Sequence, residues 1–420
     1  MLVTHALRIL LGKQLSPFSF VRDKGFLPDF QVPNTGLYVH IPFCETLCSF
    51  CPYFKEQADE ERMRQYLYAL LSEIDLTADK LAICEAVKRE ATSLYFGGGS
   101  PAIMIDDLSI IRKKIDRYFH IKGNAGIELH PRDIHADTGR KLLDAGFDMV
   151  SLGIQSFSQD MLRVLGREDQ DLTVPITLIR KSGFKSIDVD LIFGIPGQDE
   201  EILKNDFLKA AELGATQISA YPFINFSYAN NNKPPQSSKS KKRMLNALLE
   251  AAEKAGFHRN SVWTFGKKGA PRYSSITRDC FIGFGPSATS LGADAFKVNT
   301  FSVDAYIDAV HTNTLPTALR MPFTPRSRRL YWLFWNCYNG HISKFTYNEL
   351  FSSELDKDFH ISLHIAKRLG ILYRNSSGWE LTKKGSYYFH KIEQLYTHQY
   401  IDKTWRFGMK TPWPERIDLY

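Results

Sequence analysis

Short apolar runs alternate with amphipathic stretches through the first half of the chain. Leu37 to Ile41 reads as a strand, and Met63, Leu67, Leu70, Leu71 and Ile74 then recur at the spacing that lines one helix face. Ser93 to Phe96 is the next strand and runs into Gly97, Gly98 and Gly99. Ile127–Leu129, Met149–Gly153, Ile187–Phe193 and Gln217–Tyr221 follow, with helical segments between them. Six strands, each followed by a turn or helix, predict an α/β fold: a parallel sheet with right-handed crossovers. The expected form is an open, six-stranded partial (β/α)6 barrel. Chemistry in such sheets sits at the carboxyl ends of the strands.

After Pro325 the pattern changes. Leu330–Cys337, Tyr347–Leu355 and Ile361–Leu369 read as helices. Ile371–Arg374 and Trp379–Thr382 read as a two-stranded wing joined through Asn375 to Gly378, and Lys384–Tyr396 as a closing helix. This predicts a winged-helix-like α+β domain. The expected organisation is a lead-in segment 1–33, a core barrel 34–300, a linker 301–325, the second domain 326–400 and a tail 401–420. Met1 to Leu15 reads as an amphipathic lead-in helix rather than a secretion signal. Ser227 to Ser240 reads as a polar loop, and Phe284-Gly285-Pro286 as a tight turn.

The chain has 420 residues, 44% of them apolar, 24% charged, and a formal charge of +7. That length exceeds what one core needs, which agrees with two domains. No run of eighteen apolar residues exists, so no membrane span is expected. The charge excess is mild, and Lys239, Lys241, Lys242 and Arg243 read as a solvated helix start; no nucleic-acid partner is expected. Three of the six cysteines fall within eight residues, while Cys84, Cys280 and Cys337 are scattered. That suits a metal site in a reducing, cytoplasmic compartment rather than a disulfide framework. Cys84 and Cys337 read as core residues, whereas Cys280 abuts a glycine turn and could face a site.

The three clustered cysteines are Cys44, Cys48 and Cys51, just after the first strand. Four thiolates would saturate a 4Fe–4S cluster, and three leave one iron open to a small molecule. In this chemistry that molecule is S-adenosylmethionine, held by its amino and carboxylate groups and cleaved to a 5′-deoxyadenosyl radical. The competing reading is a Cys3His zinc knot completed by His40.

Five stretches carry a resemblance. They are Tyr38-Val39-His40-Ile41-Pro42-Phe43-Cys44, Tyr95-Phe96-Gly97-Gly98-Gly99-Ser100-Pro101, Ser151-Leu152-Gly153-Ile154-Gln155-Ser156-Phe157, Leu165-Gly166-Arg167, and Asp190-Leu191-Ile192-Phe193-Gly194-Ile195-Pro196-Gly197. In this order, over residues 37 to about 290, they resemble the oxygen-independent coproporphyrinogen III oxidase-like family of radical S-adenosylmethionine enzymes. The winged-helix-like part is similar to that family's C-terminal domain, less sharply. The resemblance implies a 4Fe–4S cluster on Cys44, Cys48 and Cys51, one or two S-adenosylmethionine molecules, and an electron donor such as flavodoxin or ferredoxin. It implies that Gly97 to Gly99, with Ser100, receive the methionyl ammonium. It also implies that Glu128, Gln155, Arg167 and Asp190 contact S-adenosylmethionine, with Arg167 neutralising a carboxylate. Structural pairing inside the barrel is the alternative for the first, second and fourth, and a surface charge for Arg167. Tyr38 could pack beside the cluster or simply in the core. The turn holding Gly285, Ser287 and Ala288 resembles a loop that closes on the adenosine.

The family divides into decarboxylating oxidases, haem chaperones and a methyltransferase-type branch. The oxidases carry a fourth cysteine two residues after the third, and here that position is Tyr53. The chaperones carry a His-Asn-x-x-Tyr-Trp stretch, absent around Pro271 to Cys280. Cys51-Pro52-Tyr53-Phe54-Lys55 looks most like the methyltransferase-type branch, with decarboxylation and haem binding as alternatives. The expected substrate is a tetrapyrrole or another flat, unsaturated acceptor.

Overall fold

The computed structural model describes residues 19–419 apart from 31, 33, 168–169, 230–232 and 273–278. The lead-in helix expected over Met1–Leu15 and the tip of the polar loop lie outside them.

All six strands of the sequence reading are present: β1 (Thr35–Ile41), β2 (Ser93–Gly98), β3 (Ala125–Leu129), β4 (Met149–Gln155), β5 (Ser186–Phe193) and β6 (Gln217–Pro222). They pair in chain order and in parallel. Their near-continuous burial is what a parallel sheet covered on both faces requires; Leu37, Val39 and Ile41 of β1 are all buried. Helices complete the crossovers. The first, α1 (Glu60–Lys80), is capped by Asp59, whose carboxylate accepts from the Arg62 backbone N–H at 2.9 Å, a contact typically worth about 1 kcal/mol. Register sets Gly36 opposite Ser93 and Ile41 opposite Gly98. The carboxyl ends of the parallel strands therefore lie at one rim.

The sheet does not stop at six strands. β7 (Cys280–Phe284) runs parallel along the other edge of β1, with Cys280 opposite Thr35 and Phe284 opposite Val39. An antiparallel succession continues from it through Thr289–Leu291, Ala295–Asn299, Thr317–Pro322, Ser19–Arg22 and Arg416–Asp418. At the far edge, Thr264–Lys267 and Phe257–Arg259 extend β6. Among the described residues one 14-stranded sheet results.

After Pro325 come α2 (Pro325–Tyr338), three shorter helices and a wing of three strands, His341–Ser343, Gly378–Leu381 and Leu372–Arg374. The expected wing had two strands, and His341–Ser343 is the addition. α3 (Lys383–Tyr396) passes through a π-helical turn, Thr397–Ile401, into α4 (Asp402–Gly408). The segment 401–420, expected as a tail, thus supplies a helix and an edge strand of the main sheet.

Candidate active site

The loop after β1 holds Cys44, Cys48 and Cys51 at the sheet rim. A two-stranded parallel pair, Phe43–Cys44 with Glu56–Gln57, closes it, and the Ala58 N–H donates to the Cys44 carbonyl at 3.0 Å. Burial pushes the Cys44 thiol up to about 12, with Cys51 and then Cys48 among the charges that add to the shift. All three thiols line one cavity, and holding them together as thiolates needs a strong positive centre among them. Among the described residues no three His, Cys, Asp or Glu side chains are grouped to hold a metal ion. A cluster binds each thiolate on a separate iron. His40 is not a candidate ligand. Its Nε2 donates to the Phe54 carbonyl at 2.9 Å, and its Nδ1 accepts from the Tyr38 hydroxyl at 2.9 Å. Both nitrogens are taken, burial holds the imidazole down at about 4, and the ring pins the end of the cysteine loop. The zinc reading of the sequence has no fourth ligand in His40.

The loop opens into a cavity of about 610 Å³, within the range of about 300–1,000 Å³ common for ligand sites. Of the expected site residues, Tyr38, Cys44, Cys48, Cys51, Gly98, Gly99, Ser100, Glu128, Gln155, Arg167, Asp190 and Ser287 line it. The Glu128 carboxylate accepts from the Tyr95 hydroxyl at 2.7 Å and from the Gly98 N–H at 3.4 Å. Asp190 accepts from the Ser151 hydroxyl at 2.9 Å. Burial raises the Asp190 carboxyl well above the usual range, and Asp188 and Glu128 add to it. Gln155 adopts the left-handed backbone region, φ 71°, where a non-glycine residue is strained. The Arg167 guanidinium donates to the Gly153 carbonyl and lies over the Phe50 ring, while its Nε has no partner among the described residues.

The three glycines earn their place by close packing. A Cβ on Gly99 would meet the Phe43 carbonyl oxygen at 2.4 Å, and one on Gly98 the Ile41 carbonyl at 2.8 Å. Gly97 does not line the cavity; it backs onto Glu128, whose Oε2 would stand 2.8 Å from a Cβ there. Gly285 and Ala288 also lie off the cavity. The Gly285 N–H donates to buried Glu73 at 2.7 Å, and Ala288 is fully packed. From that turn only Ser287 reaches the space, with its hydroxyl 3.2 Å from His40 Nε2.

Cys280 does not face the site. It is buried in β7, with an Arg328 nitrogen 3.8 Å from its sulfur. Cys84, expected in the core, is exposed beyond the end of α1, whereas Cys337 is partly buried against the apolar interior.

Asp188 went unnamed in the sequence reading. It sits two residues before Asp190 on the same strand face, so period-two alternation could have found it. Its Oδ2 accepts from Gln217 and Ser219, both at 2.8 Å, while Oδ1 has no partner among the described residues. The opposite wall is also new. Tyr331, Trp335 and Tyr338 of α2, Glu393 and Tyr396 of α3, and Thr404 and Trp405 of α4 all line the cavity. Tyr53 also lines the cavity, and burial, then the charges of Glu128, Cys51 and Asp190, raise its phenol above the usual range.

The donor set fits the groups expected of it: three thiols on one short loop lining the cavity, a buried carboxylate, Asp188, with an unused oxygen, and an arginine with an unused N–H. Residues 38–209 match the Radical SAM superfamily. The haem chaperone HemW of Bacillus subtilis is 26% identical over 83% of this chain and 95% of its own length. The oxygen-independent coproporphyrinogen III oxidase of Escherichia coli is 33% identical over 45% of this chain and 41% of its own. The solved structure of the Escherichia coli coproporphyrinogen III oxidase HemN shares the fold over 93% of this chain and 98% of its own, with a TM-score of 0.75 at 22% identity. Residues 38–209 thus carry the match to the radical S-adenosylmethionine superfamily, and the chain as a whole resembles the coproporphyrinogen III oxidase-like family.

Proposed function

We propose that this protein is a radical S-adenosylmethionine enzyme that transfers a methyl group to a tetrapyrrole, using two S-adenosylmethionine molecules. The observation that carries the reading is the lining of the cavity, which brings three thiols and an aromatic wall to one space. Cys44, Cys48 and Cys51 would hold a 4Fe–4S cluster, which supplies one-electron reductive cleavage of the sulfonium to a 5′-deoxyadenosyl radical. Arg167 would offer Nε to the methionyl carboxylate. Glu128, Asp188 and Asp190 would accept from ammonium and ribose groups, and a cation among them would draw their protons off. The aromatic wall excludes water from the reacting space and sandwiches a flat ring. Lys55, Arg132 and Arg272 line the same cavity and would meet the substrate's carboxylates. An acidic electron-transfer protein such as flavodoxin or ferredoxin would supply the electron, in a reducing cytoplasmic compartment.

Tyr53 motivates methyl transfer over decarboxylation, because it stands where the oxidases carry a fourth cysteine. A second reading, haem binding without turnover, is favoured by one observation. The HemW relative aligns over nearly its whole length, whereas the oxidase aligns over less than half of its own. Chromatography of nucleoside products from the anaerobic, reconstituted enzyme separates the readings, with haem and coproporphyrinogen III as trial substrates. Methyl transfer yields both 5′-deoxyadenosine and S-adenosylhomocysteine. Carbon dioxide and vinyl products without S-adenosylhomocysteine would make it an oxidase. Bound haem with neither nucleoside would make it a chaperone.

A further inference from the structure

Two glutamates are buried in this molecule in contrasting ways. Glu73 of α1 is fully enclosed and satisfied: Gly285 N–H, Asn299 Nδ2 and the Tyr306 hydroxyl all donate to it, at 2.7, 2.9 and 2.8 Å. That is how a structural acid is kept. Glu393 of α3 is 6% exposed and lines the cavity. Its Oε1 accepts from the Thr397 hydroxyl at 3.0 Å, and its Oε2 has no partner among the described residues. An enclosed oxygen left unpaired costs stability unless a ligand meets it. The helix departs from α geometry at the π-helical turn Thr397–Ile401, which begins at the residue whose hydroxyl meets Oε1, and such turns recur at functional sites.

The surroundings define the ligand group. Tyr338 and Tyr396 flank this part of the wall, and no salt bridge reaches Glu393 among the described residues. Burial pushes its carboxyl up to about 8, so the acid is ionised only above that value, and a donor aimed at Oε2 would favour the ionised form. In that form a substrate carboxylate would be repelled, and a bare hydrocarbon edge would leave Oε2 unmet. The group needed is a hydrogen-bond donor on an otherwise apolar part of the ligand. On a metal-free tetrapyrrole, the pyrrole N–H groups are that donor.

We propose that Glu393 is a specificity-determining contact that accepts a hydrogen bond from a pyrrole N–H of the bound substrate. This rests on the tetrapyrrole reading above and adds to it a preference for ring nitrogens that carry hydrogen over nitrogens that carry a metal.

The test is equilibrium ultrafiltration of the cluster-loaded protein under anaerobic conditions at about pH 9, where Glu393 is ionised. The probes are coproporphyrinogen III, quantified after oxidation to the porphyrin, and haem. Wild type is compared with Glu393→Leu and with Glu393→Gln, which keeps the volume and the Thr397 bond but turns an amide N–H toward the ring. Both variants should bind coproporphyrinogen III about ten- to a hundredfold more weakly, the cost of one hydrogen bond to an acid. Haem affinity should change less than about threefold, with iron content unchanged. Equal loss for both probes would mean a packing or metal contact and would overturn the proposal. So would full affinity for coproporphyrinogen III in the two variants. If wild type binds haem alone, the N–H contact is wrong while the tetrapyrrole reading stands. If wild type binds neither probe, the tetrapyrrole reading fails and takes this contact with it.

Discussion

His390 shows how a single side chain couples this fold to pH. It is buried, and the Trp263 indole N–H donates to its Nδ1 at 2.9 Å, so the hydrogen sits on Nε2. Burial lowers its imidazole to about 3, and Lys241, Lys391 and Arg259 add to the effect. Unfolded histidine titrates near about 6.5. Between those values the unfolded chain binds more protons than the folded one, so stability falls as the medium is acidified and is intact above the unfolded value. Asparagine can place its amide oxygen where Nδ1 stands. The stability gap between wild type and His390→Asn should therefore shift by about 2 kcal/mol against wild type between pH 7 and pH 5. Urea unfolding at the two pH values checks this, and parallel declines would refute it. Neither His390 nor Glu393 was legible in the sequence. Each sits in an ordinary amphipathic helix, and what makes it unusual is its enclosure by other segments of the chain. The cysteines were legible because their spacing is local.

At the scale of elements, long strands could be read and short ones could not. β1 to β6 carry continuous apolar runs because both their faces are covered. The antiparallel additions are short, such as Thr289–Leu291 and Phe257–Arg259, and their turns dominate the pattern. β7 was hidden by the glycine turn that follows it. The turn after β2 makes a sharper point. Gly99 and Ser100 donate their N–H groups to the Ile41 and Phe43 carbonyls, both at 2.7 Å, so this turn is the floor of the cysteine loop. Gly99→Ala would drive a Cβ into the Phe43 carbonyl, and neither side is a flexible side chain. That variant should lose most of its cluster iron. Gly183→Ala is the comparison: it has φ 91° but nothing within 4 Å of its Cβ. It should cost about 1 kcal/mol and keep its iron. Iron and sulfide assays with thermal melts separate the two, and full iron in Gly99→Ala would show that the loop can give way.

Across the whole molecule, the cavity belongs to no single segment. The sheet rim supplies thiols and carboxylates, and α2, α3 and α4 supply the facing wall. The sequence reading set α2 and α3 in a domain of their own and the residues of α4 in a tail, since periodicity reports which face of a helix is apolar and not what that face covers. The placement of β7 has a consequence for the chain as it is made. β1 lies inside the finished sheet, yet its partner on one side begins only at Cys280. A ribosome-bound chain therefore carries the cysteine loop on a strand with one raw edge for more than two hundred residues of synthesis. Raw edges recruit other chains. A chain arrested after residue 270 should sediment with aggregates, and one arrested after residue 324, past β7 and its antiparallel cover, should stay dispersed. Arrested-chain centrifugation would decide this. If the two behave alike, the edge of β1 is shielded by something other than β7. For the cell, the same delay is a window in which iron and sulfide can reach the thiols before the sheet closes beside them.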